Sequence, residues 1–343
     1  MTIAQVSPLM EAVPPKLYGG TERIVAYPTD KLVELGHDVT PFASGDSITK
    51  AKFEQIWPHA LCLDTKMQDH LAPHVIMLEK LARRIKDFDI IHLHTEHLGY
   101  PILTRLDVPF LATLHNRMDR IEIERVYETF LDVPVVSISD SQREPIPLAN
   151  YIDTIDHGLQ RDLLTLGPGK GGYLAFIGWI SPEKAPDVAI RIAGAAGMKI
   201  QIAAKIDNFD RAYFHENIEP MFALPYVEYI GEIDEVQKAD FLGNAVGLLF
   251  PVAWPEPFGL AMIEAMACGT LVIAFRCGSV PEVLEEGVSG FIVENEEQAV
   301  AAVNKLAELS RPNVRKAFED RFTARRRAEN YVRLYQSLVR AKD

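Results

Sequence analysis

Three cysteines are all that the 343 residues provide, Cys62, Cys268 and Cys277, and no two of them form a CxxC pair. That excludes a disulfide scaffold, and an odd, sparse count fits a reducing compartment. Positive charge is also short, with 35 Lys and Arg against 48 Asp and Glu, a net charge of −13. The deficit is spread, 15 against 23 in residues 1–158 and 20 against 25 in residues 159–343. Neither half is basic, which argues against nucleic acid as the main partner. A long apolar run is missing too. The nearest, GLAMIEAMACGTLVIAF, is interrupted by Glu264 and a Cys-Gly-Thr break, where a membrane span needs about 18 or more apolar residues. The opening MTIAQVSPLM has neither the basic start nor the apolar core of a signal peptide. The expectation is a soluble cytoplasmic protein. No GxGxxG appears, so a dinucleotide fingerprint is absent.

What is present is a rhythm. Short apolar runs at 2–7, 38–44, 89–94, 109–115 and 133–139 read as strands, and a second series follows at 173–178, 199–204, 226–231, 246–251, 270–275 and 290–293. Several are continuously apolar, which suits parallel strands covered on both faces. Helical patterns lie between them, at 185–196, 234–244, 259–268 and 295–308. Two alternating blocks predict an α/β protein of two doubly wound, Rossmann-like domains. The Gly/Pro-containing stretch 157–172 marks the break. The boundaries read 1–158 and 159–321, with a C-terminal segment, 322–343, whose helix shows Tyr331, Leu334, Tyr335 and Leu338 on one face and packs across the domain interface.

In such sheets ligands gather beyond the carboxyl ends of the strands. After the first strand a loop leads to Gly19 and Gly20, which open a helix with Thr21 as its N-cap. Glycines there admit a ligand to the backbone, or simply make a turn. His92, His94 and His97 follow the third strand and permit a metal reading or a cluster of polar site residues, and His115 ends the fourth strand as a packed or a functional histidine. In the second block, Ser181 or Pro182 begins a helix with Lys184 in its first turn, against the helix dipole. A cation there makes sense beside a bound anion. Lys205 ends the next strand, and the two lysines together are candidates for clamping a diphosphate. The stretch WPEPFGLAMIEAMACGT places Glu256 before a helix that starts near Phe258 or Gly259, and Glu264 inside it. The amides of Phe258, Gly259, Leu260 and Ala261 form an anion site at the helix start. Glu264 is costly in so apolar a helix unless it is hydrogen-bonded, by backbone, water or a ligand's hydroxyls.

This stretch, Glu256-Pro-Phe-Gly-Leu-Ala-Met-Ile-Glu264, resembles the E-x7-E signature of retaining, nucleotide-sugar-dependent glycosyltransferases of the GT-B fold, most like family 4. GGTERI, DIIHLH, TLHN, SPEK and the trailing AMACGTLVIAFRCGSVPEVL are similar as well. The resemblance implies two Rossmann-like domains facing a cleft, with the acceptor on the first and the nucleotide sugar on the second. It implies that Glu256 contacts the transferred sugar and Glu264 the ribose. Lys184, Gly19, Gly20 and the amides around Phe258 to Ala261 would hold the diphosphate, and His115 would face the sugar. No metal and no cofactor are implied. UDP-glucose is the donor expected first, the acceptor being a glycan, a lipid-linked molecule or a small molecule. In one respect the chain departs from the family: Trp179 stands where an arginine is usual, which Lys205 or Arg23 would have to replace. A binding protein with little turnover and a nucleotide-sugar epimerase are the alternatives. The basic run Arg311, Arg315, Lys316, Arg321, Arg325, Arg326, Arg327 reads as a solvated helix surface or a contact with an anionic membrane.

Overall fold

The computed structural model describes residues 1–15, 19–207 and 209–342. Lys16, Leu17 and Tyr18, part of the loop ahead of Gly19, lie outside the described residues. The chain divides into two units: residues 1–158 with 324–343, and residues 159–323.

The first unit is built on seven parallel strands, β1 (Thr2–Val6), β2 (Asp38–Ser44), β3 (Glu54–Trp57), β4 (Ile90–Leu93), β5 (Phe110–Thr113), β6 (Val135–Ser137) and β7 (Tyr151–Thr154). Their order is β3-β2-β1-β4-β5-β6-β7. One face of the sheet buries Val6, Phe42, Met77, Leu81, Tyr100 and Tyr127. The other buries Ile3, Val39, Ile90, Leu111 and Val136 against Ala328, Tyr331 and Tyr335. Those last three belong to the helix Ala324–Lys342, so the C-terminal helix supplies core to the first unit. Its apolar stripe recurs at three and four residues, as an amphipathic helix on a sheet requires. Leu334 and Leu338 flank the stripe, partly buried.

The second unit has six parallel strands: β8 (Tyr173–Trp179), β9 (Lys199–Lys205), β10 (Val227–Gly231), β11 (Gly247–Phe250), β12 (Leu271–Phe275) and β13 (Gly290–Val293), ordered β10-β9-β8-β11-β12-β13. The strand order reverses between β8 and β11 here and between β1 and β4 in the first unit. A reversal leaves a crevice at the carboxyl ends of the two strands, because their crossover helices lie on opposite faces.

Two strands, β3 and β7, have no counterpart in the apolar runs. Both are four-residue edge strands with mixed burial, so no continuous run marks them. The first helix, Gly20–Glu34, is capped by Gly19, and Thr21, read as the cap, sits inside it. The helix expected from Ser181 or Pro182 begins only at Pro186; Ser181 to Ala185 form a turn, closed by bonds from the Lys184 and Ala185 amides to the Ser181 carbonyl. Among the described residues no helix is long and apolar enough to cross a membrane.

Candidate functional site

At the β8/β11 reversal of the second unit the loops after the two strands bring Lys184 and Glu256 together. The loop after β8 carries Lys184, held by a turn in which Ala185 adopts a left-handed conformation (φ 51°, ψ 53°). Such a backbone costs an alanine about 1–2 kcal/mol. The loop after β11 carries Trp254 and Glu256. The two loops are tied by the Ala253 amide, which donates to the Glu183 carbonyl at 2.9 Å. Lys184 Nζ ion-pairs with Glu256 Oε2 and lies 5.0 Å from the centre of the Trp254 ring. The cation inferred to need an anion therefore has one from its own chain, and a phosphate would share Lys184 with Glu256. Lys205, at the end of β9, is the register partner of Trp179, and its ammonium lies 5.4 Å from that ring's centre. Among the described residues no ion pair joins Lys205 to this cluster.

Gly259 caps the helix Leu260–Ala267 with φ 81°, and a Cβ there would come 2.6 Å from Met262 Cε. Its neighbour Phe258 is buried against Phe322, ring centres 5.9 Å apart. Leu260 and Ala261 are the first two helical residues, so the start of the helix opens beside the Lys184–Glu256 pair's own loop. Glu264, fifth in the helix, is 6% exposed, and its Oε1 accepts from Lys238 Nζ at 2.7 Å. Lys238 also pairs with Glu235 at 3.0 Å. The lone charge of the apolar helix thus has a buried ionic partner from the helix Glu235–Asn244. Sequence alone leaves Lys238 indistinguishable from a surface lysine, since its partner is 26 residues away.

Gly278 is a second residue that only the fold brings forward. It has φ 54°, and a Cβ there would meet Glu256 N at 2.4 Å and Glu256 O at 2.5 Å. The Ser279 amide then binds the Glu256 carbonyl at 3.0 Å. Gly278→Ala is expected to cost at least about 2 kcal/mol, from the left-handed backbone and the clash together. It should also weaken any ligand that depends on Glu256. Denaturant unfolding and ligand titration check both.

In the first unit, the carboxyl ends of β4 and β5 hold a histidine relay. His92 and His94 share a face, ring centres 3.9 Å apart. Gln5 Nε2 donates to Tyr335 Oη at 3.1 Å, and the Tyr335 hydroxyl lies 2.6 Å from His92 Nδ1. The Tyr335 proton goes to that nitrogen, and His92 Nε2–H donates to Thr113 Oγ1 at 2.6 Å. Both His92 nitrogens are therefore taken by protein partners, which removes it from the metal reading; among the described residues no three His, Cys, Asp or Glu converge as a metal site. The Gln5 carbonyl is left for His94 Nε2–H at 2.7 Å, and His94 Nδ1 accepts from His115 Nε2–H at 2.9 Å. His115 Nδ1 is then a bare lone pair, buried and without a partner among the described residues. Burial first, and then the Arg327 charge, lower the His115 pKa to about 3, so the ring stays neutral. Glu96 fixes the backbone here: its Oε1 accepts from the His115 amide at 3.0 Å and from Asn116 N and Nδ2 at 3.2 and 3.1 Å.

Glu22, in the first turn of the Gly20–Glu34 helix, is buried, and desolvation raises its pKa from 4.5 to about 7. Between these values the unfolded chain releases the proton and the folded one keeps it. The stability associated with the protonated form is thus complete below about pH 4.5 and lost as pH rises through about 7, a change of roughly 3 kcal/mol. Glu22→Gln is expected to gain stability over the parent as pH is raised from 5 to 8, read by melting temperature at each pH.

Four of the seven residues in the basic run are engaged within the fold, while Lys316 and Arg325 are exposed. Arg311 donates to the carbonyls of Gly167, Gly243, Ala245 and Cys268, and Arg315 to those of Leu164, Ala267 and Arg161. Arg321 binds the Val283 and Glu282 carbonyls, and Arg327 is buried. Orphan carbonyls at loop and helix ends hold these guanidinium groups.

Residues 167–325 match the family Glycosyl transferases group 1, and residues 18–138 match Glycosyltransferase Family 4. Among curated proteins, the D-inositol 3-phosphate glycosyltransferase of Mycobacterium ulcerans is 31% identical over 272 residues, 67% of this chain. The chain spans 58% of that relative's length. Among solved structures, the sucrose-phosphate synthase of Thermosynechococcus elongatus has a TM-score of 0.81 at 18% identity, covering 99% of this chain and 100% of that one. Anabaena HepE in complex with UDP-glucose has a TM-score of 0.73 at 16% identity, covering 98% and 100%. These likenesses carry the fold.

Proposed function

Because this chain belongs to the family-4-like glycosyltransferases of the GT-B fold, we propose that it transfers a hexose from a nucleoside-diphosphate sugar to an acceptor hydroxyl with retention of configuration. The observation that carries the reading is the Lys184–Glu256 pair at the strand-order reversal of the second unit, beside the start of the helix that buries Glu264. On this reading the diphosphate takes over Lys184, which frees Glu256 to accept from sugar hydroxyls. The amides of the helix start share the phosphate charge. Glu264, with Lys238 on Oε1, contacts a ribose hydroxyl. Leaving-group charge is met by Lys184 and amides, with no metal required. The roles given to Gly19, Gly20 and His115 in the first unit belong to the same proposal.

UDP-glucose is the first donor to try. A solved relative of the same fold is described in complex with it. The test is incubation with UDP-, GDP- and ADP-sugars, following release of nucleoside diphosphate and, with an accepting sugar, the anomeric configuration of the product. Absence of release with every donor, together with binding of one of them, would favour a binding protein instead. Trp179, stacked under Lys205 at the end of β8, is the observation that keeps this second reading in view, since neither side chain presents a bidentate donor to a leaving diphosphate.

A further inference from the structure

Arg327 lies in the first turn of the Ala324–Lys342 helix and is 2% exposed. Its Nη1 donates to the Ile24 carbonyl at 2.9 Å, and its guanidinium carbon lies 5.4 Å from the centre of the Tyr331 ring. Its Nε and Nη2 have no hydrogen-bond partner among the described residues, and no carboxylate pairs with it there. These two N–H groups are not an arbitrary pair. They form the side of the guanidinium fork that engages both oxygens of a carboxylate or phosphate at once. A buried cation without a counter-ion is among the costliest arrangements a fold can hold. The first turn makes it costlier, since it carries no acidic residue and the helix dipole opposes a cation there.

The surroundings fit a ligand better than a strut. The charge of Arg327 is felt by His92, His94, His115 and His157, where it acts with burial to keep each ring neutral. His94, His115 and His157 follow the carboxyl ends of β4, β5 and β7. The Tyr331 hydroxyl, on the ring beside Arg327, lies 2.7 Å from Thr113 Oγ1 at the end of β5, so Arg327 stands near the ligand-binding edge of the first sheet. Among the described residues no carboxylate pairs with it, while His115 Nδ1 offers a bare acceptor.

We propose that Arg327 anchors an oxyanion subsite in the first unit: its Nε–Nη2 edge takes the phosphoryl or carboxylate group of a sugar-like ligand, one of whose hydroxyls donates to His115 Nδ1. The sugar-like character of the ligand rests on the glycosyl-transfer reading, whereas the oxyanion rests on the orphaned edge alone. Three sources of the group are distinguishable: the diphosphate of the donor, a phosphate ester on a second sugar, and a uronic carboxylate.

The test is calorimetric titration of the full chain with UDP, and of the UDP-saturated chain with glucose 6-phosphate, glucuronate and, as the neutral control, glucose. Arg327→Met removes the charge at similar volume. Arg327→Lys keeps the charge and loses the fork. Both are expected to weaken at least one anionic arm tenfold or more with glucose unchanged, and that arm names the group. No arm changing by more than twofold in either variant overturns the proposal. Arg327→Met should also melt higher than the parent in buffer alone, because it removes an uncompensated buried cation. A lower melting temperature with ligand binding unaltered would mark Arg327 as a tether for the Ile24 carbonyl and nothing more. Failure of UDP to bind the parent would count against the proposed donor, and the two anionic sugars would still read the Arg327 edge.

Discussion

Lys184→Ala is expected to lower turnover of the nucleotide sugar by about a hundredfold to a thousandfold, the effect of losing one preorganised donor to a developing oxyanion. The lysine is held in advance of the ligand. Its loop is pinned by Ala185 in a left-handed conformation and by the Ala253-to-Glu183 bond, and its ammonium rests near the Trp254 ring. Little reorganisation is left for the moment of bond cleavage. The substitution also strips Glu256 of its ion-pair partner in a part-buried position, so some of the loss can come from a displaced or repelling carboxylate. The double variant Lys184→Ala, Glu256→Gln, compared with Glu256→Gln alone, separates the two. A loss of the same size relative to Glu256→Gln belongs to the leaving group, and one that disappears belongs to the unpaired carboxylate. Turnover by Lys184→Ala within threefold of the parent, with unaltered donor affinity, would remove Lys184 from the chemistry.

The second large effect is on stability. Lys238 and Glu264 are each 8% exposed at the side chain and 2.7 Å apart. Breaking such a pair from one side leaves a buried charge and typically costs about 3–5 kcal/mol. For a unit of this size Lys238→Met is therefore expected to drop the melting temperature by roughly 6–20 °C. Replacing both partners, Lys238→Met with Glu264→Gln, should recover most of it, because two neutral side chains of similar size need no counter-ion. The pair also discriminates roles. If Glu264 serves a ribose, the double variant regains its melting temperature and still binds UDP poorly. Normal UDP binding in the double variant would make Glu264 a structural carboxylate.

Much of this was legible from sequence where the physics is local. Parallel strands covered on both faces announce themselves as apolar runs, and the positions of β1, β2, β4 to β6 and β8 to β13 follow from that alone. The glutamates of the WPEPFGLAMIEAMACGT stretch are legible because one charge in an apolar helix demands an account. What escaped has a partner far along the chain. Lys238 looks like any helix-surface lysine until Glu264 is packed against it. Gly278 looks like a turn glycine until the Glu256 backbone lies where its Cβ would be. Arg311 and Arg315 were read by their charge, whereas their partners are carbonyl groups, present at every residue and invisible to composition. Arg327 was one of seven basic residues in a run, and only burial sets it apart.

The C-terminal helix has a consequence for the order of events during synthesis. The second unit, residues 159–323, is an uninterrupted stretch of chain, whereas the first is split around it. When residue 323 emerges, the second unit has all six of its strands. The first has its seven, but Ile3, Val39, Ile90, Leu111 and Val136 still lack the Ala328, Tyr331 and Tyr335 that cover them. The part made earliest is thus the part finished latest. Its sheet waits with one apolar face incomplete for the time needed to add some 180 residues, roughly ten to forty seconds at ordinary elongation rates, which is the interval in which a chaperone would find it.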